Sequence, residues 1–184
     1  PGAAQGRTSS SCGTYDARLR PWFIAASSGP KDIVIVVDQS ASMNNPNVAG
    51  QPNSETRIGA VRTAVSALLG TLTQSDFVGV VGFGTTAKVL GIPTPTALLR
   101  ANEQNIEDLK FSVENLIPSG DTNMAPAFTE AFDLLAASKE SSSSCTRIIL
   151  FLTDGEATDG DTTSESQTLI DDAISAGQAK LDTN

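Results

Sequence analysis

Asp32-Ile33-Val34-Ile35-Val36-Val37, running into Asp38-Gln39-Ser40-Ala41-Ser42, is the stretch that decides the fold. An unbroken β-branched run suits a strand covered on both faces, as in a parallel sheet flanked by helices, whereas a half-exposed strand alternates apolar with polar residues. The run stops at an acid. Beyond it, Ile58, Val61, Val65, Leu68 and Leu69 recur at the spacing of one helix face, with Ser54 as the predicted N-cap. Phe77 to Phe83 and Thr86 to Leu90 read as two strands joined tightly around Gly84-Thr85, which predicts an antiparallel edge. Ile106, Leu109, Val113, Leu116 and Ile117 predict a helix behind Asn102, and Met124, Phe128, Phe132 and Leu135 a second after the turn at 118–121. Arg147 to Leu152 reads as a second buried strand that again runs into an acid, Asp154, before a helix carrying Leu169, Ile170, Ala173, Ile174 and Leu181. Strands alternating with helices predict an α/β fold with a mainly parallel central sheet and one antiparallel edge strand.

Composition narrows the chemistry. The 184 residues carry a formal net charge of −9, so phosphate backbones and anionic surfaces are repelled and no nucleic-acid partner is expected. The chain has no histidine, which removes imidazole-activated nucleophiles and imidazole metal ligands. The longest aliphatic runs, Ile33–Val37 and Ile148–Leu152, fall far short of the roughly 20 residues of a membrane span, so no direct membrane insertion by this segment is expected. Residues 1–14 are rich in Gly, Ser, Thr and Ala. The only Tyr and Trp follow within 15–24, and small residues lead to Gly29-Pro30. The predicted organisation is therefore a leader, the tail of a preceding domain and a linker over 1–30, then an α/β domain over 31–184. The opening at Pro1-Gly2 and the helix-like pattern at the end predict an excerpt from a longer chain.

Ligands of open α/β sheets bind outside the carboxyl ends of the strands, and two strands deliver Asp38 and Asp154 to that edge. Asp38, Ser40 and Ser42 add a carboxylate and two hydroxyls at alternate positions of one loop. Further oxygen-bearing loops run from Ser119 to Met124 and from Thr153 to Glu156. All are hard donors with few carboxylates, a set that suits Mg²⁺, which takes about six oxygens near 2.1 Å and keeps several waters. The alternative is a set of turns whose side chains cap backbone groups. Gly82-Phe83-Gly84-Thr85-Thr86-Ala87 matches a relaxed dinucleotide fingerprint, but a strand follows where a helix is needed. The acidic run through Asp154, Glu156, Asp159, Asp161 and Glu165 lacks the glycine of an EF-hand loop and reads as a solvated acidic loop.

These residues resemble the von Willebrand factor A (VWA) domain family, whose Asp-x-Ser-x-Ser motif, later Thr and Asp-Gly correspond to Asp38, Ser40, Ser42, Thr122 and Asp154. The resemblance implies a Rossmann-like three-layer αβα domain with a metal-ion-dependent adhesion site. There Ser40, Ser42 and sometimes Thr122 would bind Mg²⁺ (or Ca²⁺ or Mn²⁺) directly, and Asp38 and Asp154 would act largely through water. A protein partner's Asp or Glu carboxylate would fill the open position. The segment Tyr15-Asp16-Ala17-Arg18-Leu19-Arg20-Pro21-Trp22-Phe23 is similar to the junction between Cache and A domains in voltage-gated calcium-channel α2δ subunits. That similarity places Tyr15, Arg20 and Trp22 on an amino-acid-binding motif, with Phe23 where the family usually has Tyr; a packed cluster at a domain junction is the alternative. Cys145 reads either as a core thiol or as half of an extracellular disulfide. The family has a further strand and helix after the point reached at Leu181, so an incomplete domain is expected.

The function implied is a non-enzymatic, extracellular, metal-dependent protein-binding module of an α2δ-like membrane-associated protein, with a channel pore subunit among its candidate partners. Two rivals remain. One is a metal-assisted hydrolase on the same aspartates, with Asp121 or Glu156 as base. The other is an intracellular A domain acting in assembly.

Overall fold

A computed structural model of the chain describes residues 29–46, 55–138, 146–154 and 163–182. The aliphatic run forms β1 (Lys31–Asp38), after which come a 3₁₀ turn (Ala41–Asn44), α1 (Arg57–Leu69), β2 (Phe77–Phe83) and β3 (Ala87–Leu90). Then follow β4 (Leu99–Arg100), α2 (Glu103–Glu114), α3 (Met124–Ala137), β5 (Thr146–Leu152) and α4 (Thr163–Asp182). The sheet order is β3-β2-β1-β5, with β1 parallel to both neighbours and β3 and the short β4 antiparallel to β2. The expected mainly parallel sheet with an antiparallel edge is thus the observed one.

β1 has no exposed face because alternate residues enter two different cores. Ile33, Ile35 and Val37 pack with Ile58 and Val65 of α1 and Leu109 of α2. Val34 and Val36 pack on the opposite face with Ala127, Ala131 and Leu134 of α3. Each buried Val, Ile or Leu among them contributes about 1.5–3 kcal/mol, so the two faces together hold the three layers in register. Asn102 caps α2 as expected, its side chain accepting from the Asn105 N–H at 2.9 Å. The glycine-rich segment is the β2–β3 turn, closed by Gly84 N–H to the Thr86 carbonyl at 3.0 Å, and a strand follows it.

Several details depart from expectation. Ser54 lies outside the described residues, and Thr56 caps α1, accepting from the Gly59 N–H at 3.3 Å. α2 ends at Glu114, so Ile117 falls beyond the helical repeat and is 79% exposed. β5 pairs with β1 on one side and forms the sheet edge among the described residues. Its expected full burial therefore fails on the face that extends past α1, where Ile148 and Leu150 are more than a third exposed. The other face is better covered, since Phe151 stacks on Phe128 of α3 with ring centroids 4.2 Å apart. The expected α4 face is also only partly buried. Leu169 and Ile174 are exposed, while Leu181 packs against the α3 side of the core and Gly177 is buried. No helix among the described residues is long and apolar enough to cross a membrane.

At the opposite end of β1 from the acid-bearing loop, the buried Asp76 accepts from Lys31 Nζ and Lys31 N, each at 3.1 Å, and from Thr73 N at 2.7 Å. Burial raises the Asp76 pKa, but the Thr73 hydrogen bonds and the Lys31 ammonium outweigh it and hold the carboxyl below its ordinary value. The stability it contributes is present above the ordinary carboxylate pKa and is lost as pH falls through the lower folded value, below about pH 4.

A Cβ on Gly177 would lie 2.2 Å from the Phe132 ring. Gly177→Ala therefore sets about 1 kcal/mol of helix propensity against about 1–3 kcal/mol of overpacking, and thermal melts should show a lowered Tm. Asp76→Asn should lose about 1–3 kcal/mol at pH 7. In urea titrations from pH 7 to pH 3 it should show a smaller acid-dependent loss than the parent chain; parallel slopes would assign the acid lability to other carboxylates.

Candidate metal centre

Asp38 is the last residue of β1 and is wholly buried, yet both its carboxylate oxygens accept hydrogen bonds. Oδ1 accepts from the Ser40 N–H at 2.7 Å, an Asx-type turn that reverses the chain as it leaves the sheet. Oδ2 accepts from Thr153 Oγ1 at 2.7 Å, a bond that joins the end of β1 to the end of β5. The capping alternative is therefore realised at Asp38. It is not realised at the serines, since Ser40 makes no side-chain cap for the 3₁₀ turn it precedes. Its hydroxyl instead lies 3.0 Å from that of Ser42. The buried Met43 anchors the same turn in the α1-side core.

The loop carrying Thr122 is stitched to this turn by two backbone bonds. Ala41 N–H donates to the Gly120 carbonyl at 2.9 Å, and Ser119 N–H to the Gln39 carbonyl at 2.7 Å. Gly120 has φ +78°, and a Cβ there would meet Thr85 Oγ1 at 2.5 Å, so both backbone conformation and space require glycine. Asn123 N–H donates to the Gly84 carbonyl at 2.9 Å, tying the loop to the β2–β3 turn. Thr122 is buried in this weave, one residue before the α3 N-cap. Asp154 follows Thr153 at the end of β5, where Leu152 is in register with Val37, and its carboxylate is ion-paired with Arg57 of α1. An open groove of about 400 Å³ lies beside it, lined by Met43, Ala60, Val61 and Thr153 among others.

The fold thus gathers the loops bearing Asp38, Ser40, Ser42, Thr122 and Asp154 at the carboxyl edge of adjacent strands. Two participants were not singled out in the sequence. In the sequence Thr153 stands out only as part of an oxygen-rich loop, and its adjacency to Asp154 is the signal that points to it. Arg57 carried none, because its partner lies 97 positions away. Asp121 is exposed, with its backbone N–H on Thr85 Oγ1. Glu156, the other proposed base, lies outside the described residues, as do Tyr15, Arg20, Trp22 and Cys145.

The donor set fits a small hard cation. No group of three or more His, Cys, Asp or Glu among the described residues could hold an ion, so hydroxyls would have to complete any coordination here. Neighbouring oxygens of an octahedron of radius about 2.1 Å sit about 3.0 Å apart, the spacing expected around Mg²⁺. The Ser40 and Ser42 hydroxyls are separated by 3.0 Å, the length of the hydrogen bond they share, and so already stand at a compatible spacing.

Comparison with known proteins agrees with this architecture. The family profile of the von Willebrand factor type A domain matches residues 33–156. The human voltage-dependent calcium channel subunit alpha-2/delta-2 is 33% identical over 141 residues, which cover 77% of this chain and 11% of that protein. The chain therefore spans about a tenth of the length of that relative. Among solved structures, a von Willebrand factor type A protein from Catenulispora acidiphila superposes with TM-score 0.63 at 27% identity, over 80% of this chain and 31% of that one. The pilus adhesin SpaC from Lactobacillus rhamnosus GG, in its open conformation, superposes with TM-score 0.54 at 25% identity, over 72% and 15%. Fold, edge loops and sequence agree, and the chain belongs to the von Willebrand factor type A domain family.

Proposed function

We propose that this domain is a non-enzymatic, extracellular protein-binding module that captures a partner's carboxylate through a bound divalent cation, Mg²⁺ by preference. The observation that carries the reading is the hydroxyl pair Ser40–Ser42, oriented by a buried Asp38 whose two oxygens are already engaged by Ser40 N–H and Thr153. Ser40, Ser42 and Thr122 would hold the ion, and Asp38 and Asp154 would orient its waters. When bound, the cation supplies a Lewis-acidic position for an external oxygen. With few carboxylates in direct contact it keeps positive charge, which an Asp or Glu of another protein neutralises. Membership of an α2δ-like membrane-associated protein, with a channel pore subunit as partner, is supported by the alpha-2/delta-2 similarity. The adhesive character and extracellular location are supported by that similarity and by the likeness to a pilus adhesin.

Calorimetric titration of Mg²⁺ into the 184-residue chain should give saturable one-site binding. Asp38→Asn, which keeps the side-chain volume and an acceptor for the Ser40 N–H, should weaken it by about 10–100-fold. In the Mn²⁺-loaded chain, acetate should displace metal-bound water and lower the water-proton relaxivity, as an open position for carboxylate requires. A folded chain, verified by circular dichroism, that takes up no divalent ion would overturn the reading.

A further inference from the structure

We infer that Arg57 is a built-in competitor of the cation for Asp154, so that loading the metal site requires the guanidinium to leave. The inference rests on the metal reading above and adds the residue that sets its affinity. Arg57 is the first residue of α1 and pairs with Asp154 across 97 positions of sequence. Local helix electrostatics do not favour it there: a cation at a helix N-terminus faces the positive end of the macrodipole, and none of the first-turn residues of α1 is acidic, although the Glu55 side chain lies against Gly59. The ion pair that Arg57 makes is with Asp154. A residue that breaks a local rule for the sake of a distant partner is most often found at a functional site.

Position and space agree with displacement. The Arg57 backbone is fixed, its N–H donating to the Asn45 carbonyl at 3.0 Å beside the Pro46–Thr56 bridge. Its side chain is 39% exposed, whereas that of Asp154 is 12% exposed. The guanidinium is thus the more exposed partner and the carboxylate the more enclosed one. The groove against which Arg57 lies is walled partly by Ala60, Val61 and Ala64, short side chains that leave about 400 Å³ for a guanidinium swung off the acid. With the ion pair formed, Asp154 is already neutralised, so an arriving cation gains little attraction from it and meets like charge from Arg57. A divalent ion has the charge to reverse the exchange.

The test uses the full 184-residue chain and Mg²⁺ alone, at constant ionic strength. Calorimetry should show Arg57→Gln binding Mg²⁺ about fivefold more tightly than the parent, the factor expected when a competing partly exposed ion pair is removed. Arg57→Lys, which keeps the charge, should stay closer to the parent. Independently of any substitution, the Arg57 Nε–H resonance should shift during Mg²⁺ titration with the midpoint found by calorimetry. Equal affinities in parent and Arg57→Gln, or an Arg57 resonance unmoved at saturation, overturn the competition and leave the metal site standing. No binding by either chain overturns the metal reading and the competition with it.

Discussion

β1 is hydrogen-bonded along both edges and covered on both faces, and most of the molecule is arranged to make that possible. A strand so enclosed has to end abruptly, because the chain must turn out of an apolar interior at a point where backbone groups still need partners. Asp38 meets that requirement. One oxygen takes the N–H of Ser40 as the chain turns, and the other takes the hydroxyl of Thr153 from the neighbouring strand. Because these bonds fix the carboxylate, the hydroxyls of Ser40 and Ser42 emerge together at the carboxyl edge of the sheet. The candidate site is thus the way the central strand leaves the core.

The two ends of β1 treat a buried carboxylate differently. Asp76, beside Lys31, has a cation and the Thr73 donors around it, and its low pKa reflects a group whose work is structural. The hydrogen bonds to Asp38 come instead from neutral groups, a backbone N–H and a hydroxyl. One end of β1 is thus latched by an ion pair at Asp76, while at the other end Asp38 is held by neutral donors and Arg57 is paired with the adjacent Asp154.

Much of this was readable from residue order. The run from Ile33 to Val37 identified a doubly covered strand because burial on both faces leaves no alternation, and the motif after it is local, so Asp38, Ser40 and Ser42 stood out together. Thr122 was found through family resemblance, since a single Thr in a polar loop carries no periodic signal. The Arg57–Asp154 pair was invisible because it depends on how α1 lies against the end of β5. The partial exposure of β5 was missed for a related reason: an apolar run announces a strand but not how many neighbours it has. β4 spans two residues, too few for any pattern; Ser54 is the better cap by residue type, whereas Thr56 is the one that meets the helix start.

The loops at the carboxyl edge are joined by reciprocal backbone bonds, Ala41 to Gly120 and Ser119 to Gln39, and Gln39 is held in turn by the Phe83 carbonyl. A tug on any one of them is therefore delivered to the end of β1. Pulled along its length, β1 loads its ladders to β2 and β5 simultaneously in shear, so the hydrogen bonds resist as a group; a pull across β5 would peel a single ladder one bond at a time. A load applied at Ser40 and Ser42 along β1 would therefore meet the domain in its mechanically strong direction.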